Sequence, residues 1–145
     1  MRIMDQNTEF LNYIYQNSEM GVDTIKQIIK IVKHDEFSKH LQLQLKDYQD
    51  VYDTAKQMLQ QSGHQEKDIG SMQKVTTYMA ISMKTLVDKT PSHISEMLIQ
   101  GSTMGVIDAE KNIKKYSGSE KSILDLARGL LKIEENNIER LKHFL

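Results

Sequence analysis

The heptapeptide QNSEMGV at Gln16–Val22 recurs as QGSTMGV at Gln100–Val106, 84 positions later in a chain of 145 residues. Five of the seven positions are identical in the two copies, namely the Gln, Ser, Met, Gly and Val. Each copy lies early in a long segment with helical spacing of apolar residues. The simplest explanation of such a repeat is a duplicated helical hairpin folded into a single bundle.

Composition favours helices and excludes several classes of protein. The charge is balanced, with 19 basic and 20 acidic residues, so the sequence lacks the basic face that is typical of nucleic-acid binding. Cysteine is absent, which excludes disulfides and zinc–thiolate sites and suits a reducing cytoplasm. One proline and seven glycines leave few breaks, and we expect a single all-α domain over 1–145.

The sequence also lacks targeting, membrane and catalytic signatures. Its first ten residues, MRIMDQNTEF, have no apolar signal-peptide core. The longest apolar run, Tyr78–Ile81, is four residues long, far below the ~20 residues of a membrane-spanning helix. There is no glycine-rich phosphate loop, no His-Glu-x-x-His and no nucleophile elbow. We therefore predict a cytoplasmic protein that neither inserts into a membrane nor acts as an enzyme.

Breakers and capping residues divide the chain into four long helices and a shorter one. The predicted helices cover about 8–33, 35–62, 71–88, 91–116 and 119–145. Short links make each long pair an antiparallel hairpin, and a long crossover containing the short Met-rich helix joins the two hairpins. The signals used are Asn7 or Thr8, Asp35, Thr90-Pro91 and Ser119 as helix starts, and Gly63 and Gly118 as helix ends.

This layout resembles the ferritin-like superfamily: duplicated hairpins, a long crossover, and a glutamate, Glu19, midway along the first helix. The extra crossover helix is closer to small bacterial members of that superfamily than to ferritin itself. The resemblance covers nearly the whole chain. It implies a ferritin-like four-helix bundle, and in metal-binding members a di-metal core. That core takes a Glu from each of two helices and a Glu-x-x-His from each of the others.

The inward positions of this sequence match that ligand set at two places, Glu19 and Glu134. Glu134 falls at the centre of the apolar stripe of the last helix, but Asn137 stands three residues on, where the family has histidine. None of the five histidines lies mid-helix at this level. We therefore expect no metal and no cofactor. The alternative is an iron or manganese site at Glu19 and Glu134, with Asp47 at the stripe edge of the second helix.

Without a metal, the inward polar residues should form a buried hydrogen-bonded layer, because an isolated buried carboxylate is prohibitive. Such layers also fix the register of neighbouring helices. The predicted members are Ser18, Gln44, Tyr48, Ser102, Glu134 and Asn137.

Small residues recur every four positions in the third long helix, at Gly101, Gly105 and Ala109. A glycine inside a helix costs about 1 kcal/mol relative to alanine, so the stripe indicates a packing reason. We expect a neighbouring helix or a large side chain to approach closely here, with Tyr48 or Tyr52 as the filler. The alternative is space for a small organic ligand beside Gly101 and Gly105.

The methionines are expected to lie in two different environments. Most of the nine are expected to fill gaps in the core, as at Met72, Met79 and Met83 of the crossover helix. Met20 instead projects nearly opposite the apolar stripe of the first helix, which indicates a covered back face. The sequence favours a non-catalytic ferritin-like bundle that acts through self-association, as a dimer, or through other protein contacts. Metal binding and small-ligand binding are the alternatives.

Overall fold

A computed structural model of the protein describes residues 5–62 and 86–145. These residues form α1 (Gln6–Ile31), α2 (Asp35–Gln61), α3 (Pro91–Lys115) and α4 (Lys121–Leu141), followed by a 3-10 turn over Lys142–Phe144. No strand occurs in these two ranges, so the all-α, four-helix prediction is confirmed for them. The predicted helix over 71–88 and the helix end at Gly63 lie mostly outside the described residues. The last three predicted residues, Leu86–Asp88, are not helical.

The first two helices begin at residues that the sequence interpretation did not choose. Asp5 caps α1, because its Oδ1 accepts a hydrogen bond of 2.9 Å from the backbone N–H of Asn7. His34, rather than Asp35, caps α2: its Nδ1 accepts from the Phe37 N–H at 3.1 Å. An imidazole nitrogen with a free lone pair can satisfy a helix N-terminus as a carboxylate does. Asp35 is instead the first helical residue, where its negative charge interacts favourably with the helix dipole.

The second hairpin has one predicted cap and one unexpected start. Thr90 caps α3 as predicted, accepting from the His93 N–H at 3.2 Å, with proline at the first helical position. The prediction of Ser119 as the cap of α4 was wrong. The Ser119 N–H donates to the Tyr116 carbonyl at 2.9 Å, which keeps this residue in the turn. Glu120 holds the cap position without a side-chain cap bond, and its N–H donates to Asn7 Oδ1 at 2.9 Å.

Side-chain contacts fix the direction of each helix. In the first hairpin the hydroxyls of Tyr15 and Tyr52 lie 3.3 Å apart across α1 and α2. Between the hairpins, the Asn7 bond brings the start of α1 to the start of α4. The rings of Phe37 and Phe144, 4.9 Å apart, bring the start of α2 to the end of α4. Consequently α1 runs parallel to α4, and α2 runs antiparallel to it.

These directions make α2 and α3 parallel, since both run antiparallel to α4. The end of α2 and the start of α3 therefore lie at opposite ends of the bundle. The separation is about 40 Å, because α2 has 27 residues that each rise about 1.5 Å.

The core lies along the axis shared by the four helices and is closed by aromatic contacts at both ends. At one end Phe10 stacks on Tyr116 with ring centroids 5.0 Å apart, and at the other Phe144 packs on Phe37. No helix in the described ranges is long and apolar enough to span a bilayer. The largest fully buried apolar side chains are Phe10, Ile14, Ile25, Ile28, Phe37, Leu41, Leu59, Ile94, Leu130 and Leu141.

Candidate functional site

Glu134 places a carboxylate in the middle of this core. The residue is 6 % exposed, and it occupies the stripe that every turn of α4 directs inward. A rotation of α4 that exposed Glu134 would also expose the apolar residues of the same stripe. Burial of those residues therefore keeps Glu134 inside. The buried members of the stripe are Ile123, Ala127, Leu130, Glu134, Asn137 and Leu141.

Three other side chains form a hydrogen-bonded cluster with this carboxylate. The Tyr48 hydroxyl of α2 donates to Glu134 Oε1 at 2.6 Å, and the Ser102 hydroxyl of α3 donates to the same oxygen at 3.0 Å. Asn137, one turn along α4, donates from Nδ2 to the Tyr48 oxygen at 3.3 Å. These four residues, the Glu134 cluster, therefore connect three helices and both hairpins.

The glycine shared by both copies of the repeat, Gly21 and Gly105, makes room for the two central members of the cluster. A Cβ at Gly105 would lie 2.5 Å from Glu134 Oε2, and a Cβ at Gly21 would lie 2.7 Å from the Tyr48 ring. The expected filler opposite Gly105 was Tyr48 or Tyr52, but Glu134 takes that place and Tyr48 packs on Gly21 instead. Each hairpin thus uses its glycine to seat one partner of the Tyr48–Glu134 bond.

Burial dominates the electrostatics of the cluster. It raises the pKa of Glu134 to about 7, against the opposing effect of the hydrogen bonds from Tyr48 and Ser102. Burial and then the negative charge of Glu134 hold the pKa of Tyr48 well above its usual value. Tyr13 of α1 has its pKa raised by burial first, then by the charges of Asp108 and Glu134. Glu134 is therefore the member of the cluster that gains or loses a proton near neutral pH.

Two predicted members of the polar layer are buried but bond elsewhere. Ser18 donates to the carbonyl oxygens of Ile14 and Tyr15 in its own helix, at 2.8 and 3.0 Å. The distance between Gln44 Nε2 and His40 Nε2 is 2.8 Å. The Gln44 amide therefore donates to a neutral imidazole. The structure therefore brings together four of the six predicted residues and leaves these two in local contacts.

His40 is a buried polar residue that the sequence interpretation did not select. It lies one turn before Gln44, and its ring centroid is 5.4 Å from that of Phe144. Burial lowers its pKa, and the positive charges of Arg140 and His143 add to this effect. The four-residue spacing to Gln44 was the available signal, because it places both side chains on one helix face.

The remaining candidate residues differ in burial. Glu19 and Asp47 are half-buried, as is Gly101, whereas Ala109 is fully buried. Within 5–62 and 86–145, no three His, Cys, Asp or Glu side chains converge. The cluster itself supplies one carboxylate, whose Oε1 already receives two hydroxyl hydrogens. This donor set does not fit the carboxylate-and-histidine di-metal core of the ferritin-like superfamily.

No protein-family model, curated protein or solved structure matches the chain. In the cluster, Glu134 is the group that titrates near neutral pH. Tyr48 and Ser102 donate their hydroxyl hydrogens to its carboxylate, and all three side chains are buried.

Proposed function

We propose that this protein is a non-catalytic, ferritin-like helical bundle that acts through protein contacts, with a second copy of the chain as its partner. The observation that carries the proposal is an apolar pair on α3. Met104 and Ile107 are 44 % and 49 % exposed, and their spacing of three residues puts them on one face. Contiguous exposed apolar surface marks interaction sites. Among the exposed large apolar side chains of the described residues, these two alone share a helix face.

The interior supports the non-catalytic part of the proposal. Tyr48 and Ser102 direct their hydrogens to Glu134, and the ring of Tyr48 is packed against the backbone of Gly21. Groups held in this way stabilise the pairing of helices and have no access to a substrate. The cluster is better suited to fixing helix register than to chemistry.

The duplicated-hairpin architecture is part of the same proposal, and the pattern of burial supports it. Tyr48 and Glu134 are 86 positions apart, and five further pairs of buried residues in α2 and α4 share that separation. The two heptapeptides, which lie in α1 and α3, are 84 positions apart. The difference of two positions arises because the link between α3 and α4 is two residues longer than the link between α1 and α2. The pairs are Phe37/Ile123, Leu41/Ala127, Gln44/Leu130, Tyr48/Glu134, Val51/Asn137 and Ala55/Leu141.

A ferritin-like connection follows from this architecture as a further element of the proposal. The parallel directions of α2 and α3 support a crossover along the bundle, the arrangement used in ferritin-like folds. In our proposal the crossover contains a helix within 71–85, whose Met72, Val75 and Met79 have the spacing of one apolar face.

Light scattering after size exclusion, over a series of protein concentrations, tests the function. We expect the unmodified chain to reach the mass of a dimer and the Met104→Lys/Ile107→Lys variant to remain a monomer. Leu43→Lys is the matched control, because Leu43 is 57 % exposed on α2 and the charge added there leaves the α3 face intact. An unmodified chain that stays monomeric at every concentration, or a variant that still dimerises, contradicts the proposal.

A further inference from the structure

The amide of Asn137 is the one member of the Glu134 cluster whose bonding is incomplete. The residue is 0 % exposed, and its Oδ1 has no hydrogen-bond partner among the described residues. Its Nδ2 donates to the Tyr48 oxygen at 3.3 Å. A buried carbonyl oxygen without a partner is uncommon in folded proteins and calls for an explanation.

The explanation lies in the direction of the hydrogen bonds. While Glu134 is an anion, Oε1 can only accept, so the Tyr48 hydrogen is committed to it at 2.6 Å. The Tyr48 oxygen is then an acceptor, and Asn137 has to present its NH₂ rather than its oxygen. An anionic Glu134 therefore accounts for the unpartnered Oδ1.

Protonation of Glu134 reverses this requirement. A proton on Oε1 makes that atom a donor, and the acceptor across its 2.6 Å contact is the Tyr48 oxygen. Two hydrogens cannot occupy one short contact, so the Tyr48 hydroxyl has to donate elsewhere. Asn137 offers an acceptor at the same place once its amide rotates by half a turn, which exchanges Nδ2 for Oδ1.

We propose that the Glu134 cluster is a proton switch in which one proton, taken from solvent by Glu134, reverses the hydrogen-bond chain through Tyr48 and flips the amide of Asn137. Glu134 gains the proton and loses its charge, while Tyr48 keeps its own hydrogen and changes only its acceptor. In the protonated form the oxygen of Asn137 is satisfied. The switch therefore couples acidity to the bond that joins the two hairpins.

The groups around Glu134 leave it as the residue that titrates. From α1 the facing group is Tyr13, and from α2 it is Tyr48. From α3 Ser102 donates to Glu134, and the charge of Asp108 acts on Tyr13. Burial raises the pKa of both phenols, so neither ionises near neutral pH. This inference does not depend on self-association, since all of its members belong to one chain.

The direct test is NMR spectroscopy of the full chain from about pH 5 to about pH 9, the range in which a buried carboxyl titrates. The carboxyl carbon of Glu134 and the side-chain NH₂ of Asn137 are followed together. We expect both signals to shift with one shared midpoint. Glu134→Gln removes the Asn137 transition, whereas Glu135→Gln, at the exposed neighbouring position, leaves it unchanged.

Two further variants test whether the Tyr48 hydroxyl transmits the change from Glu134 to Asn137, or whether Asn137 responds only to the charge of Glu134. Tyr48→Phe lacks the hydroxyl that passes the change on, so Asn137 no longer follows the titration of Glu134. Ser102→Ala keeps that hydroxyl, so the coupling remains. The proposal is overturned if the Asn137 signals of the unmodified chain stay fixed while Glu134 titrates, or if they still follow Glu134 in the Tyr48→Phe variant.

Discussion

Gly21 and Gly105 show how single residues determine this core. Each occupies the same position of the repeated heptapeptide, and each faces a large polar side chain across its own hairpin. Because neither has a Cβ, Tyr48 and Glu134 reach far enough into the bundle to meet at 2.6 Å. The two glycines thus weaken their helices slightly and in return permit the bond that joins the hairpins.

Gly21→Ala should destabilise the protein, although alanine is the better helix former. The added methyl group would lie 2.7 Å from the Tyr48 ring, and overpacking of this kind costs about 1–3 kcal/mol. Gly129→Ala is the control, because nothing lies within 4 Å of the added atom and helix propensity alone gives a gain of up to about 1 kcal/mol. Urea denaturation followed by circular dichroism measures both. Equal changes in the two variants would refute the packing explanation.

The raised pKa of Glu134 makes stability depend on pH. The pKa is about 7 in the folded protein and 4.5 for an ordinary solvent-exposed glutamate, so the folded state binds more protons between these values. The free energy of unfolding therefore falls as the pH rises through this window, by about 3 kcal/mol for the full shift. The depressed pKa of His40 acts in the opposite direction, since its contribution is lost as the pH falls.

Comparison with Glu134→Gln isolates the contribution of Glu134, because His40 is common to both proteins. We expect the variant to be more stable than the unmodified chain near pH 8 and to lose that advantage near pH 5. Chemical denaturation at the two pH values gives the difference. Glu135→Gln should follow the unmodified chain, and a constant offset between Glu134→Gln and the unmodified chain would contradict a shifted pKa.

At the scale of helices, apolar spacing predicted which faces turn inward, while local hydrogen bonding decided details that spacing does not encode. The stripe of α4 and its Glu134 follow from a period of 3.6 residues, as does the inward position of Ser102. Ser18 has the same inward position but bonds to its own backbone, because a helical serine can donate to the carbonyl four residues earlier. Ser119 is not the cap because the Leu124 N–H donates to the Glu120 carbonyl, so the helix begins one residue later than predicted.

Thr90→Ala should remove a helix cap that was predicted correctly from the sequence. The Thr90 hydroxyl accepts from the His93 N–H, and loss of such a cap costs about 1 kcal/mol. Thr103→Ala is the control on the same helix, since Thr103 is exposed and its hydroxyl only donates to the Ile99 carbonyl. That change should be neutral or slightly stabilising. Thermal unfolding of the two variants distinguishes a cap from a general effect of losing threonine.

At the scale of the whole molecule, two tyrosine–glutamate bonds within 5–62 and 86–145 connect the hairpins at different depths. Tyr48 donates to Glu134 in the core at 2.6 Å, and Tyr116 donates to Glu9 near one end of the bundle at 3.2 Å. The first bond is fully enclosed and the second is partly open to solvent. Similar chemistry therefore occurs in two environments, and desolvation should make the inner bond the stronger link between hairpins.

A double-mutant cycle measures that difference. Tyr48→Phe leaves Glu134 with Ser102 as its remaining donor, so this variant alone should lose about 1–3 kcal/mol at a pH where Glu134 is charged. In the Glu134→Gln background the carboxylate charge is absent, so Tyr48→Phe should lower the free energy of unfolding by less. We expect a coupling free energy above about 1 kcal/mol for Tyr48 and Glu134. The corresponding cycle for Tyr116 and Glu9 should give less than about 0.5 kcal/mol, as expected for a partly exposed pair. Equal coupling in the two cycles would mean that the hairpins are held by apolar packing alone, with the buried bond contributing no more than a surface contact.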